Sequence, residues 1–138
     1  MWLQTEIVER VLIEFNNDIV KSLNEKGFKA VSINTKTKNI ISVSPEDKKL
    51  GFVGVPEKIN NNIISDLIKN NQIPVVAPLG LGSDDQAYNI NGDTAAGAIA
   101  KSLKSRRLLL MTNVEGVLTK EKKLISEISS SEILEMIK

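Results

Sequence analysis

Asn89, Asn91 and Asp93 stand at alternate positions in the run Tyr88-Asn89-Ile90-Asn91-Gly92-Asp93. The small-residue stretch Thr94-Ala95-Ala96-Gly97-Ala98-Ile99-Ala100 follows directly and has helical character. If Tyr88 to Asn91 is extended, side chains alternate between faces. That places the two amides of Asn89 and Asn91 on one face and the apolar Ile90 on the other. Asp93 sits where a helix N-cap belongs. Upstream, Ile73-Pro74-Val75-Val76-Ala77 has the length and β-branched content of a buried strand. A Gly- and Asp-rich loop, Gly80 to Asp85, separates it from the asparagines. A strand, a glycine loop and a helix start favour anionic ligands, because unpaired N–H groups and the positive end of the helix dipole converge there. Each residue alone has an ordinary structural role. Asp93 alone is a cap, Asn89 alone a turn residue, and Gly97 with the alanines a close-packing face. Only the combination points to a ligand.

The elements that must position these groups are those of a one-domain chain of 138 residues, long enough to bury one real core. Lys and Arg number 18 against 17 Asp and Glu, a net charge of +1, and no basic face is concentrated. Nucleic acid is therefore a poor partner. The chain contains no Cys and no His. This removes thiol nucleophiles, disulfides, Cys/His zinc sites and Ser-His-Asp triads. Acid–base or electrostatic chemistry must use Asp, Glu, Lys, Arg, backbone N–H groups or a metal bound through oxygen, and no residue is assigned as a metal ligand. No apolar run has membrane-spanning length and the first residues lack a signal-peptide pattern, so a cytoplasmic location is expected.

In chain order, Trp2 to Lys26 reads as a helix whose Ile7, Val8, Val11, Leu12, Phe15, Ile19, Val20 and Leu23 form a core-facing stripe, with Asn16-Asn17 a point of breakage. Lys29 to Asn34 and Ile40 to Ser44 read as strands joined in a hairpin, and Gly51 to Val55 as a short strand carrying two glycines. Pro56 to Asn71 contains a helix, with Pro56 at its start and Ile59, Ile63, Ile64, Leu67 and Ile68 on its buried face. After the strand at Ile73 and the helix Asp93 to Ser105, Arg106 to Thr112 reads as an interior strand. A small hairpin over Leu118 to Leu124 and a last helix, Glu132 to Lys138 capped by Ser130, complete the chain. This β–α–β–α–β order argues for an α/β fold with a mainly parallel sheet and helices on both faces. In such sheets ligands bind beyond the strand carboxyl ends, here Ala77 to Gly82 and Thr112-Asn113. No repeat or low-complexity linker interrupts it.

The string YNINGDTAAGAIAKSLKSRRLLLMTNVEGVL resembles the middle of acetylglutamate kinase, a member of the amino acid kinase superfamily. The upstream IPVVAPLGLG and LGFVG, and the opening EIVERVL, resemble that enzyme's preceding segments, so the likeness covers essentially the whole chain. Carbamate, aspartate and uridylate kinases share the strand–loop–helix layout but not the NIN-x-DTAAGAIA string. The resemblance implies a three-layer αβα sandwich with a mainly parallel sheet, of the amino acid kinase or carbamate kinase-like type, truncated at both ends. It implies a partial kinase domain in which residues 1–88 end the substrate-binding half and residues 89–138 begin the nucleotide-binding half. The implied reaction is ATP-dependent phosphorylation of the side-chain carboxylate of N-acetyl-L-glutamate, in arginine synthesis. ATP with Mg2+ is the implied cosubstrate, and the full-length enzyme is expected to be a homo-oligomer.

By position, Asn89 matches the family residue that binds acetylglutamate, and Asn91 shares its face. Asp93 matches the acidic residue that organises the catalytic lysines. Thr112 and Asn113 match a nucleotide-side pair that usually ends in an acid; Asn113 lacks that charge. Gly92 replaces a frequent Ala, which weakens the helix start slightly. The family's glycine-rich phosphate loop with its Lys, its Gly-Gly pair, its substrate Arg and its later Pro-Lys segment have no counterpart in these 138 residues. Losing one such charge clamp costs on the order of three to five powers of ten in rate. The chain alone is therefore expected to be inactive, and a non-catalytic binding or regulatory module of the same fold is the alternative.

Overall fold

Helix α1, Trp2–Glu25, runs unbroken through Asn16-Asn17. The expected break does not occur because Asn16 is turned inward and bonded: its Nδ2 donates to the Val75 carbonyl at 2.9 Å and its Oδ1 accepts from Ser32 Oγ. The computed structural model describes residues 2–136, and the side chains of all of these except 2–5 and 48. They form two compact units that divide after Leu108.

In the first unit, β1 (Ala30–Ile33) pairs in parallel with β4 (Ile73–Val76), register Ala30↔Ile73 to Ile33↔Val76. The expected hairpin between β1 and β2 (Ile41–Pro45) is absent. Instead β2 pairs antiparallel with β3, Gly54–Ile59. A bulge between Ser42 and Val43 leaves Glu57 without a ladder partner beside Pro56. Pro56 thus lies inside a strand, not at a helix start. A residue without an N–H is tolerated where the ladder is already interrupted. Helix α2 begins later, at Asn61, and runs to Lys69; Asn60 caps it by accepting from the Asn62 N–H. Its buried side is Ile64 and Leu67; Ile59 belongs to β3 instead.

The four-stranded sheet has the order β3-β2-β5-β6, with β5 Leu79–Leu81 and β6 Ala87–Asn89 antiparallel. Gly80 therefore belongs to a strand, and the Gly- and Asp-rich loop reduces to a hairpin turn, with Gly82 N–H to the Gln86 carbonyl at 3.0 Å. Helix α3, Gly92–Ser102, packs on β3, while α1 lies across β1, β4 and β6. The α/β class holds, with a parallel pair and a mixed sheet. The core gathers Ile33, Ile40, Ile41, Val43, Ile64, Leu67, Tyr88, Ile90 and Ala95. Strand β4 is only half-buried, with Ile73 exposed, because β1 is its one ladder partner among the described residues.

The expected stripe on α1 divides: Leu12, Val20 and Leu23 are half-buried, while Ile7, Val8, Val11, Phe15 and Ile19 are exposed. Ile7 is 45% exposed, Val11 51% and Phe15 63%. The inward side carries Glu9 and Asn16, both buried, flanked by half-buried Leu12, Ile13, Val20 and Leu23. Glu9 accepts from Thr35 Oγ1 and pairs with Lys36 Nζ at 3.1 Å. Apolar periodicity identified the helix correctly and its buried face only in part, because two polar side chains with specific partners share the inner side.

The second unit contains an antiparallel bridge between Leu118 and Leu124, as expected of the small hairpin, and α4, Ser130–Met136. Its cap is Ser129, not Ser130: Ser129 Oγ accepts from the Glu132 N–H while Glu132 Oε2 accepts from the Ser129 N–H at 2.7 Å. This is a capping box, and the hydrogen bonds that Glu132 Oε2 accepts, from the Ser129 hydroxyl first and from the Ser129 N–H second, lower its carboxyl below the ordinary value. The last two residues expected in this helix, 137 and 138, lie outside the described residues. Arg106 to Thr112 forms no strand; Leu109 and Met111 are almost fully exposed. A strand needs ladder partners for its backbone groups, and none pairs with this segment among the described residues.

Candidate functional site

The alternation expected of residues 88 to 91 is present. Tyr88 and Ile90 are buried, Asn89 is half-buried and Asn91 is exposed. The Ile90 N–H donates to the Pro78 carbonyl at 2.9 Å, fixing the inner side. Asn89 is held on both flanks. It faces Leu79 in the β5–β6 ladder, and its N–H donates to the Phe52 carbonyl at 2.9 Å, where Val53 and Asn89 form a parallel bridge. This bridge joins the approach to β3 back to β6, so the ends of the four-stranded sheet meet. The Asn89 side-chain amide has no hydrogen-bond partner among the described residues.

Asn91, not Asp93, is the N-cap of α3. Its Oδ1 accepts from the Asp93 N–H at 3.0 Å and the Thr94 N–H at 3.1 Å. Asn is as good a cap as Asp, so residue type alone does not choose between the two positions. The cap at Asn91 changes the chemistry of the junction. Two N–H groups expected to be open to an anion are already bonded, and the Asn91 carbonyl oxygen is engaged. Its Nδ2 still points two donor hydrogens elsewhere. Asp93 is exposed in the first turn, its carboxylate near the positive end of the helix dipole. Ala95 is buried against the sheet, whereas a Cβ at Gly97 would meet nothing within 4 Å. Close packing therefore applies to the alanine and not to the glycine.

Tyr88 anchors the inner side of the junction. Its ring meets Phe52 edge-on, centroids 5.5 Å apart and planes at 60°, and its hydroxyl donates to Asp84 Oδ2 at 3.3 Å. Burial, then the Asp84 charge and hydrogen bond, push the phenol above its ordinary value. Sequence reasoning missed this anchor; only the single tyrosine between a glycine-rich turn and the asparagines hinted at it.

Thr112 and Asn113 belong to the second unit, where both are exposed and Thr112 Oγ1 lies 3.4 Å from Asn113 Oδ1. Two clefts in the first unit lie away from these residues. One of about 500 Å3 is lined by Asn39, Ser42, Lys58, Asn60 and their neighbours, another of about 300 Å3 by Glu9, Lys36, Asp85 and Gln86. Neither includes Asn89, Asn91 or Asp93. Among the described residues no cluster of three or more acidic or other metal-binding side chains exists. No helix described is long and apolar enough to cross a membrane.

A family model described as the amino acid kinase family matches residues 3–138. The chain belongs to the amino acid kinase family. Its relatives include the acetylglutamate kinase of Pelagibacter ubique (strain HTCC1062), 56% identical over 131 residues, which span 95% of this chain and 46% of that enzyme. The acetylglutamate kinase of Jannaschia sp. (strain CCS1) is 44% identical over 133 residues, 96% of this chain and 47% of that one. The crystal structure of smu.665 from Streptococcus mutans UA159 superposes with a TM-score of 0.78 at 32% identity, covering 88% of this chain and 49% of that one. The amino acid kinase family member described here thus spans about half the length of the curated relatives it matches.

Proposed function

We propose that this chain carries part of the substrate site of an acetylglutamate kinase of arginine biosynthesis. Asn89 and Asn91 contact N-acetyl-L-glutamate, Asp93 is the organising carboxylate, and Thr112 with Asn113 lies on the nucleotide side. One observation supports this most: a half-buried asparagine amide without a protein partner, two residues before a capped helix start, in a chain whose relatives are acetylglutamate kinases. An unpaired amide donates to a carboxylate or carbonyl oxygen and adds no charge. In the reaction, a carboxylate oxygen of the substrate side chain attacks the γ-phosphorus of Mg2+-bound ATP, forming an acyl phosphate and releasing ADP. Such transfer depends on positioning and on dispersing negative charge. Asn89 and Asn91 supply positioning, and Asp93 holds ammonium groups in place.

The cationic groups that disperse the transferred charge are not among the residues described above, so the 138-residue chain binds without turning over. A coupled ADP-release assay is expected to show no acetylglutamate-dependent rate; substrate-dependent turnover overturns that part. By calorimetry, Asn89→Ala is expected to weaken acetylglutamate binding with the circular dichroism unchanged. Equal affinity in the two proteins removes Asn89 from the site. The reading also carries a cytoplasmic location and a homo-oligomeric whole enzyme.

A further inference from the structure

We propose that Gly54 and the ring of Tyr88 are positioning residues for Asn89, an inference that rests on the acetylglutamate reading of Asn89. No side-chain bond among the described residues sets the direction of the Asn89 amide. Its placement is inherited from the backbone, which is held by Leu79 on one flank and by the Phe52 carbonyl and Val53 on the other. The same return of chain lays Gly54 over Tyr88. A Cβ at Gly54 would lie 2.9 Å from Tyr88 Cβ and 3.0 Å from Val43 Cβ.

Neither neighbour is the end of a flexible side chain. Each is fixed directly to the backbone of a sheet strand, β6 or β2, and cannot swing aside. A methyl group at residue 54 therefore separates β3 from β6 or from β2. At the ring itself, a Cβ at Gly82 would stand 2.5 Å from Asp84 Oδ1 and 2.7 Å from Tyr88 Cε2, so that glycine also leaves room for the tyrosine and its carboxylate partner. Phe52 packs edge-on against the same ring. The ring is keyed from the core side, and Asn89, on the opposite face of the same strand, moves with it. Small displacements of a ligand-positioning group have large effects.

The test is titration of the whole 138-residue chain with N-acetyl-L-glutamate, followed by amide NMR, for wild type, Gly54→Ala, Phe52→Leu, Asn89→Ala and Leu67→Ala. Leu67→Ala empties a buried position on α2 and controls for general loss of stability. Gly54→Ala is expected to weaken binding about tenfold, close to the effect of Asn89→Ala, and to speed hydrogen exchange at the Asn89 N–H. Phe52→Leu is expected to weaken it about threefold, and the folded fraction of Leu67→Ala to keep its affinity. If Gly54→Ala binds like wild type while Asn89→Ala does not, the positioning role is wrong and the reading of Asn89 stands. A loss with Leu67→Ala as large as with Gly54→Ala also overturns the positioning role. If Asn89→Ala binds like wild type, or the wild-type chain does not bind, the reading of Asn89 falls and takes the proposal with it. Should Gly54→Ala fail to fold, Phe52→Leu decides: unchanged affinity with a native spectrum overturns the proposal.

Discussion

Asn91 and Asp93 divide labour differently from the way their positions suggest. The asparagine oxygen satisfies two N–H groups of α3, while the aspartate contributes only through its charge near the dipole. Asn91→Ala is accordingly expected to lower stability by about 1 kcal/mol, and Asp93→Ala by roughly 0.3–1 kcal/mol and less in high salt. Urea unfolding at two ionic strengths separates the two; a larger loss from the aspartate reverses the assignment. Tyr88 gives a second residue-scale expectation. Its phenol is raised above 10.0 by burial and Asp84. A raised folded value means the native chain holds this proton more tightly than the unfolded chain. The associated stability is full below the ordinary value and is lost as pH rises through the folded value. As the chain has one Tyr, its tyrosinate absorbance reports the titration directly. A midpoint at or below the ordinary value contradicts the burial argument. Period-2 alternation made the faces of 88 to 91 legible from sequence. The choice of cap was not, because Asn and Asp are equally good there and only the observed bonds decide.

Among elements, α1, α2, β1, β4 and the small hairpin of the second unit were legible, each having a strong period or apolar run. Partner choice was not. Residues 29–34 and 40–44 look like a hairpin because they are close in sequence, yet β1 pairs with β4 and β2 with β3. Pro56 looks like a helix start and lies beside a bulge, a feature that exists only once two strands are in register. Segment 106–112 has strand composition, but its backbone has no ladder partner among the described residues. Helix α3 offers a direct test of local energetics. Gly97 sits in its middle with open space where a Cβ would project. Gly97→Ala is expected to stabilise the chain by about 0.5–1 kcal/mol in urea unfolding, through helix propensity alone. A loss of stability would show that this position is packed more tightly than the geometry indicates.

For the molecule as a whole, the outward row Ile7, Val11, Phe15 and Ile19 is the most consequential surface of the first unit. Exposed apolar rows bind hydrophobic dyes and promote association. Phe15→Lys is expected to reduce dye fluorescence while leaving the unfolding midpoint nearly unchanged, since the side chain is 63% exposed. A marked loss of stability would mean that the phenyl ring is covered.

The reason this row stays outside lies two turns apart on the opposite side of the helix. Glu9 is tied to Thr35 and Lys36, Asn16 to Ser32 and Val75. Like two pins of a lock, they fit only one rotation and one height. Rolling the helix to hide its oily side would carry that carboxylate and that amide out to water and break their bonds to Thr35, Ser32 and the Val75 carbonyl, so greasiness at the surface is the toll for a helix that cannot slip.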